Sequence, residues 1–546
     1  MIGLIADSSE HGVVREFFEL FKTPWEFFRE GRHYPVVLCA GELGAARPDA
    51  SLILLYSGRR LPQDAGLLVE AVPSRDGAAT LAYEDFRIPV YGRCLRFQSQ
   101  EASEGAAPVL PLPEAGGRRI IRLGYDLFGE VLTLITAGQP VQKAMVPALD
   151  LHISLLRHLI RAAHIPLLEI LPAPQGYPFT VCLTHDVDHP SLRRHGFGHT
   201  LLGFLYRAVV GSLGTAVKGR RPLRDVWTNW SAALRLPLVY LGIGKDPWCT
   251  FKRYMEIEEG LGSTWFVIPF RDRPGLLPAG GPAKTHGRRA SSYGAKDIAG
   301  PLGTLQAQGR EIGVHGIDAW ADPAAGRREA GELTAIAGTA RPGVRMHWLY
   351  FDARSPAVLE EAGFDYDSTC GYNETVGFRC GTSQVFQFRG ATSLLELPLL
   401  VMDTALFYAI HLNLSEGEAE GRVEALIEQV AGSGGCFTVN WHDRSIAPER
   451  LWDRFYLRLL HSLRARQPWF ATCLQAVAWF RKRRSAIFEQ VEWTGNEAHF
   501  SVSFRSDPDV PDLVIRVYPA GEPAFDVPAT DRVFCFEGVM CNQLPA

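Results

Sequence analysis

From residue 177 to about 480, short runs of consecutive apolar residues alternate with stretches whose apolar positions recur at helical spacing. The runs 179–183, 264–268, 311–314, 343–345, 394–400 and 436–440 predict strands, and 250–261, 297–308, 323–337, 355–362 and 416–431 predict helices between them. Alternation of strand and helix on this scale argues for a parallel sheet, open or closed into a barrel. Residues 185–250 interrupt it with an insertion rich in Arg, Trp and Gly, helical in part.

The flanks follow other patterns. Residues 1–150 mix apolar runs (35–39, 51–56) with Gly and Pro breaks and read as a small α/β domain, with 101–117 as a loop by composition. A helix over 142–163 with a broad Leu and Ile face follows, then a Pro-containing connector, 167–177. Beyond residue 485 the segments 490–493, 499–504 and 513–518 alternate with period two. The expected organisation is therefore an N-terminal domain (1–150), a (β/α) unit (174–480) and a small β-rich appendage (485–546).

Composition narrows the function classes. Hydrophobic residues are 47% and charged residues 21% of the 546, ordinary for a globular chain. Lys and Arg number 56 against 60 Asp and Glu, a net charge of −4, which gives no electrostatic footprint for nucleic acid or an anionic membrane. The N-terminus shows no basic leader before an apolar core, so a cytoplasmic location is the simplest expectation. The most apolar stretch, 201–217, carries Arg207 and falls short of the ~20 residues of a spanning helix, so no integral membrane segment is expected. Ten cysteines lie scattered, only Cys535 and Cys541 being close, and form neither a disulfide framework nor a zinc ribbon.

The candidate chemistry is positional. Four of the strand runs end in residues able to bind metal or move protons: Thr184-His185-Asp186-Val187-Asp188-His189, His315-Gly316-Ile317-Asp318, Arg345-Met346-His347 and Trp441-His442-Asp443. In parallel α/β architectures the C-terminal strand ends converge on one face, where catalytic sites are built. Asp186 and Asp188 would repel each other there unless a cation or a shared proton compensates, and with His nearby the cluster suits a divalent ion. Taken singly, the same residues fit blander roles: a solvated Asp/His loop, a packed His315, a His442 resting on Trp441. His185, His189, His195 and His199 are read as a solvated run.

In this order the motifs resemble the polysaccharide deacetylase superfamily, carbohydrate esterases with a distorted (β/α) barrel, over roughly 177–481. Thr184-His185-Asp186-Val187-Asp188 looks like the two-aspartate motif, Glu311-Ile312-Gly313-Val314-His315 like the metal-binding His motif, and Arg345 like the third-motif Arg. Asp403 in Pro-Leu-Leu-Val-Met-Asp looks like the acid-orienting Asp, and His442 like the final His. The resemblance implies removal of an acyl (acetyl) group from an N- or O-acylated sugar, or a sugar-containing precursor. It implies a divalent metal, zinc first, that activates water and polarises the acyl oxygen. By position Asp186 is the base, Asp188 and His315 are metal ligands, His442 is the acid, and Arg345 holds the base.

This sequence departs from the family pattern in two places that matter. Val187 separates aspartates that are usually adjacent, although strand alternation keeps Asp186 and Asp188 on one side. Ala319 stands where a second His ligand is usual. Asp318, one residue earlier, is the expected substitute, with His185 or His347 as alternatives. Two other readings compete: a metal-independent C–N hydrolase using Asp186, His442 and Arg345, and a catalytically inactive carbohydrate-binding protein. Trp320, Trp348, Tyr350, Tyr372 and Trp441 are candidates for stacking on a sugar ring.

Overall fold

The computed structural model describes residues 1–43, 48–74, 77–99, 106–115, 118–217, 222–281, 283–494, 497–529 and 534–536. The chain divides into two compact units, Met1–Gly176 with Phe378–Arg389 and Ala478–Ala546, and Tyr177–Gly377 with Gly390–Val477.

The first unit is built on a six-stranded sheet ordered Trp25–Phe27, Ile2–Ile5, His33–Ala40, Asp49–Tyr56, Arg118–Leu123 and Val109–Ala115. All neighbours run parallel except the last. That last strand falls in the stretch read as loop. Its prolines look like breakers in sequence, but at a sheet edge a missing N–H costs no ladder bond. The C-terminal strands belong to this unit: Val514–Tyr518 pairs antiparallel with Leu167–Ile170 and with Phe525–Pro528. Two strands of the stretch read from sequence as an appendage, Val514–Tyr518 and Phe525–Pro528, thus share a sheet with Leu167–Ile170 of the connector. Among the described residues eight cysteines are free thiols, six of them buried, as small apolar side chains would be; Cys541 lies outside the described residues.

The second unit carries the parallel sheet. Its strands are β1 (Thr180–Val187), β2 (Ser263–Val267), β3 (Glu311–Gly316), β4 (Val344–Met346), β5 (Tyr366–Asp367), β6 (Leu395–Glu396), β7 (Val401–Met402), β8 (Cys436–Asn440) and β9 (Trp469–Phe470). Their order is β6-β5-β4-β3-β2-β1-β8-β7, with β9 also pairing β1. Every pairing is parallel. Eight strands laid flat would span about 34 Å. Yet β6 and β7, at opposite ends of the order, are joined by only Leu397–Leu400 in sequence, a length of at most about 17 Å. The sheet must therefore curl. The run 394–400, expected as one strand, is where the chain crosses from one end of the sheet to the other.

Helices Phe251–Ile257, Ala299–Ala307, Pro323–Ala337, Ser355–Ala362 and Glu416–Ser433 fall in the expected places. β1 and β8 are buried at every position, the signature of strands covered on both faces. The insertion is helical over His199–Leu205, π-helical over Tyr206–Gly211, and helical again over Ser212–Val217, Leu223–Leu234 and Leu236–Tyr240. Among the described residues no helix is long and apolar enough to cross a membrane.

Candidate active site

β1 sets the first two acids. Because it runs to Val187 rather than stopping at 183, Asp186 is a buried strand residue and Asp188 is the first residue beyond the strand. Neighbouring β8 ends at Asn440, opposite Thr184. The Asn440 amide oxygen accepts the Asp186 N–H at 3.1 Å, and its Nδ2 donates to Asp186 Oδ2 at 2.7 Å. From the other side the fully buried Arg345 of β4 donates to Asp186 Oδ1 at 3.1 Å and to Thr184 Oγ1 at 2.6 Å. The same guanidinium donates to the Ser368 carbonyl and hydroxyl, each at 2.9 Å, and lies over the Phe266 ring. A buried cation is tolerable only when paired and hydrogen-bonded in this way. Asp186 is thereby fixed in place.

β3 supplies His315. A side chain at Gly313, two residues earlier, would come within 2.8 Å of the Phe266 ring and 3.1 Å of the Gly343 carbonyl, so the strand packs closely there. His315 Nδ1 lies 2.9 Å from the Arg345 carbonyl, to which it donates its proton, and this sets the ring orientation. Nε2 faces Asp188 Oδ1 at 3.5 Å and Asp186 Oδ2 at 3.8 Å.

His347, just past β4, completes the group, with Nε2 also 3.5 Å from Asp188 Oδ1. The backbone after it is strained: Trp348 and Leu349 both have positive φ, 63° and 53°. Arg289 holds the turn by donating to the His347 carbonyl at 3.1 and 3.3 Å. Burial holds the His347 imidazole well below its usual range.

Asp188, His315 and His347 each present a ligand atom, all within 4.8 Å of one another. Asp188 Oδ1 is buried and has no hydrogen-bond partner. Burial works to raise the Asp188 carboxyl, but contact with His315 and the fields of His347 and His442 outweigh it and hold the group well below the carboxylate range. A buried carboxylate oxygen that has no hydrogen-bond partner and faces two imidazole nitrogens is an arrangement that a cation would satisfy. The two 3.5 Å separations match the edge of a tetrahedron with zinc-length bonds, about 3.4 Å. These residues fit a divalent ion.

The acid-side pair lies opposite. His442 follows β8, and Asp403 follows β7, the strand beside it. His442 Nδ1 is 2.6 Å from Asp403 Oδ1, and its backbone N–H donates to Oδ2 at 2.7 Å. His442 Nε2 is 3.8 Å from Asp188 Oδ2. Burial would lower the His442 pKa, but the Asp403 carboxylate overrides it, with Asp188 and Asp186 adding to the rise, and pushes the imidazole up to about 10. His442 is therefore protonated at neutral pH.

Comparisons with known proteins give structural likenesses only. No family model matches the chain, and no curated protein does. Solved carbohydrate deacetylases are among the structures to which the chain is similar. A Mycobacterium smegmatis protein described as a polysaccharide deacetylase is 18% identical at a TM-score of 0.34, over 57% of this chain and 95% of that one. Puue allantoinase is 16% identical at a TM-score of 0.34, over 56% of this chain and 92% of its own. Agd3, described as a carbohydrate deacetylase, is 8% identical at a TM-score of 0.37 and covers 98% of both chains.

The structure brings Asp186, Asp188, His315, Arg345, Asp403 and His442 together and leaves Asp318 out. The Asp318 carboxylate accepts the Leu276 N–H at 2.6 Å, while its own N–H donates to Glu329 at 2.8 Å. It ties down a loop. His347 takes the place expected of it. His185 is turned away as well and is fully buried rather than solvated: Nδ1 is 2.8 Å from the Trp441 carbonyl and Nε2 is 2.8 Å from Glu258. Trp441 cannot meet a sugar, since it is fully buried and stacked on Phe455 and Tyr456. Trp320, Tyr350 and Tyr372 are buried too, and Trp348 alone of the five keeps a partly exposed ring. Asn440 was not singled out in sequence; its alternation within β8 is the one signal that points it toward Asp186.

Proposed function

We propose that this protein is a metal-dependent hydrolase of the deacetylase type, removing an acyl group from an N- or O-acylated sugar. The observation that carries the reading is the unpartnered, buried Asp188 oxygen facing the imidazoles of His315 and His347, beside an Asp186 held by Arg345 and Asn440 and a protonated His442. Asp188, His315 and His347 would hold the ion, which when bound supplies Lewis-acid polarisation of the acyl oxygen and acidifies a water. Asp186, held by Arg345 and Asn440, accepts the proton of the attacking water. His442 carries the proton needed by the departing amine or alkoxide, and Asp403 balances its charge. Base and acid drawn from different strand ends can flank one scissile bond, as general acid–base catalysis of acyl transfer requires. The acylated-sugar assignment itself rests on the order of the five motifs in the sequence.

The test is elemental analysis of the purified chain together with hydrolysis of acetylated amino-sugar oligomers. The expected result is one divalent ion per chain, loss of turnover on exhaustive chelation and its return on adding zinc. Removing one of the three ligands in His315→Ala or His347→Ala should weaken metal retention by about 10- to 100-fold or more, judged against the cost of disturbing even outer-shell partners. Turnover that survives chelation would favour the metal-independent hydrolase, and no turnover with metal bound would favour a binding protein.

A further inference from the structure

The insertion between Asp188 and Trp248 is apolar on two faces, and the chemistry at the strand ends uses neither. Its inner face packs into a buried cluster with Leu201, Phe204, Leu236 and Trp248. Its outer face should then be polar, and it is not. Along Leu223–Leu234 the residues Leu223, Trp227, Trp230 and Leu234 recur at i, i+4, i+7 and i+11, with exposures of 75%, 71%, 36% and 75%. The neighbouring helical run exposes Leu202, Tyr206 and Val210 in the same way. Trp230 Nε1 donates to the Val209 carbonyl at 3.2 Å, which sets the two helices side by side and joins their outer faces into one patch. Contiguous exposed apolar surface of this kind marks an interaction site.

Charge identifies what covers it. Residues 190–250 carry nine Lys and Arg against two Asp and Glu, in a chain whose net charge is −4. Both acids are already engaged: Asp225 pairs with Arg454, and Asp246 accepts the N–H groups of Leu192 and Arg193 at 3.0 Å each. Arg193, Arg194, Arg224, Arg235 and Lys245 are exposed. A second copy of this face would bring like charges together, whereas an anionic lipid surface accepts both the cations and the apolar side chains. Trp and Tyr are the side chains that settle at the headgroup boundary. We propose that this helical face docks on the surface of an anionic lipid bilayer, with Trp227, Leu234 and their neighbours entering the boundary and the arginines meeting lipid phosphates. The proposal stands on the insertion alone and does not depend on the hydrolase reading.

The experiment is co-sedimentation of the full chain with vesicles of phosphatidylcholine mixed with phosphatidylglycerol, against vesicles of phosphatidylcholine alone. Binding is expected to the mixed vesicles and to weaken as salt is added. Trp227→Ser and Leu234→Ser should each weaken partitioning by about tenfold. Arg224→Gln and Arg235→Gln, both at exposed positions, should each weaken it by about fivefold. Three results would overturn the proposal: no binding to mixed vesicles at low salt, binding that all four variants leave unchanged, or a lipid-free dimer in sedimentation velocity that Trp227→Ser dissociates.

Discussion

Asp186→Asn should lower turnover by about 10²- to 10⁴-fold, the range lost when a positioned general base is removed. The same variant should retain its divalent ion, because Asp186 lies outside the group formed by Asp188, His315 and His347. That pairing of outcomes is what separates a base from a ligand. Asparagine is close to aspartate in shape, and it can keep one carbonyl toward Arg345 or Asn440 but not both. The Arg345 cation then faces a neutral amide in a fully buried setting, so a loss of about 1–3 kcal/mol in stability is expected beside the catalytic defect. Arg345→Lys makes the complementary point. An ammonium has no planar fork with which to serve Thr184, Asp186 and Ser368 together, so base positioning should suffer although the charge is kept. If Asp186→Asn turned over substrate at the parent rate with its ion in place, the assignment of the base would be wrong.

The parts of this molecule legible in the sequence are those where one physical signal dominates. β1, β2, β3 and β8 are buried on both faces, so their apolar runs stand out whatever the period. Helix Pro323–Ala337 is read to the residue because Asp322 caps it, accepting from the N–H groups of Ala324 and Ala325, and Gly338 ends it in the left-handed region. Convergence of strand ends then brings Asp186, His315, Arg345 and His442 together without further information. What was illegible depends on contacts far along the chain. Asp318 would serve as a substitute ligand only on a helical turn, where residues three apart share a face, but the chain after Gly316 makes a turn before its next helix begins at Pro323, so that spacing carries no geometry there. His347 was offered only as an alternative, because its place depends on the left-handed backbone at Trp348 and Leu349, which nothing in the local composition requires. His185 looked like one of four solvated histidines. It is buried because β1 runs four residues further than its apolar run and because Glu258 waits for it.

Asp403→Asn is expected to move the alkaline limb of the pH–rate profile by several pH units. His442 must be protonated to deliver its proton, and it is held at about 10 chiefly because Asp403 outweighs the effect of burial. The limb in the parent protein therefore lies on the basic side: rate falls as pH rises through the imidazole pKa. A bound divalent ion beside Asp188 cancels part of the remaining negative field and draws that limb down from 10, but the Asp403 contribution is unchanged by it. With an amide at 403, the largest raising influence is gone and only Asp188 and Asp186 still oppose burial, which brings the imidazole down toward its ordinary value of about 6.5. At that value about 3% of molecules carry the proton at pH 8, a loss of ~30-fold relative to a fully protonated acid. Because the defect is one of protonation, it should shrink as the assay is made more acidic. A merely structural role for Asp403 would depress the rate at every pH alike. The decisive measurement is kcat/KM against pH for both proteins: a limb shifted toward acid in the variant supports the His442–Asp403 assignment, and parallel profiles exclude it.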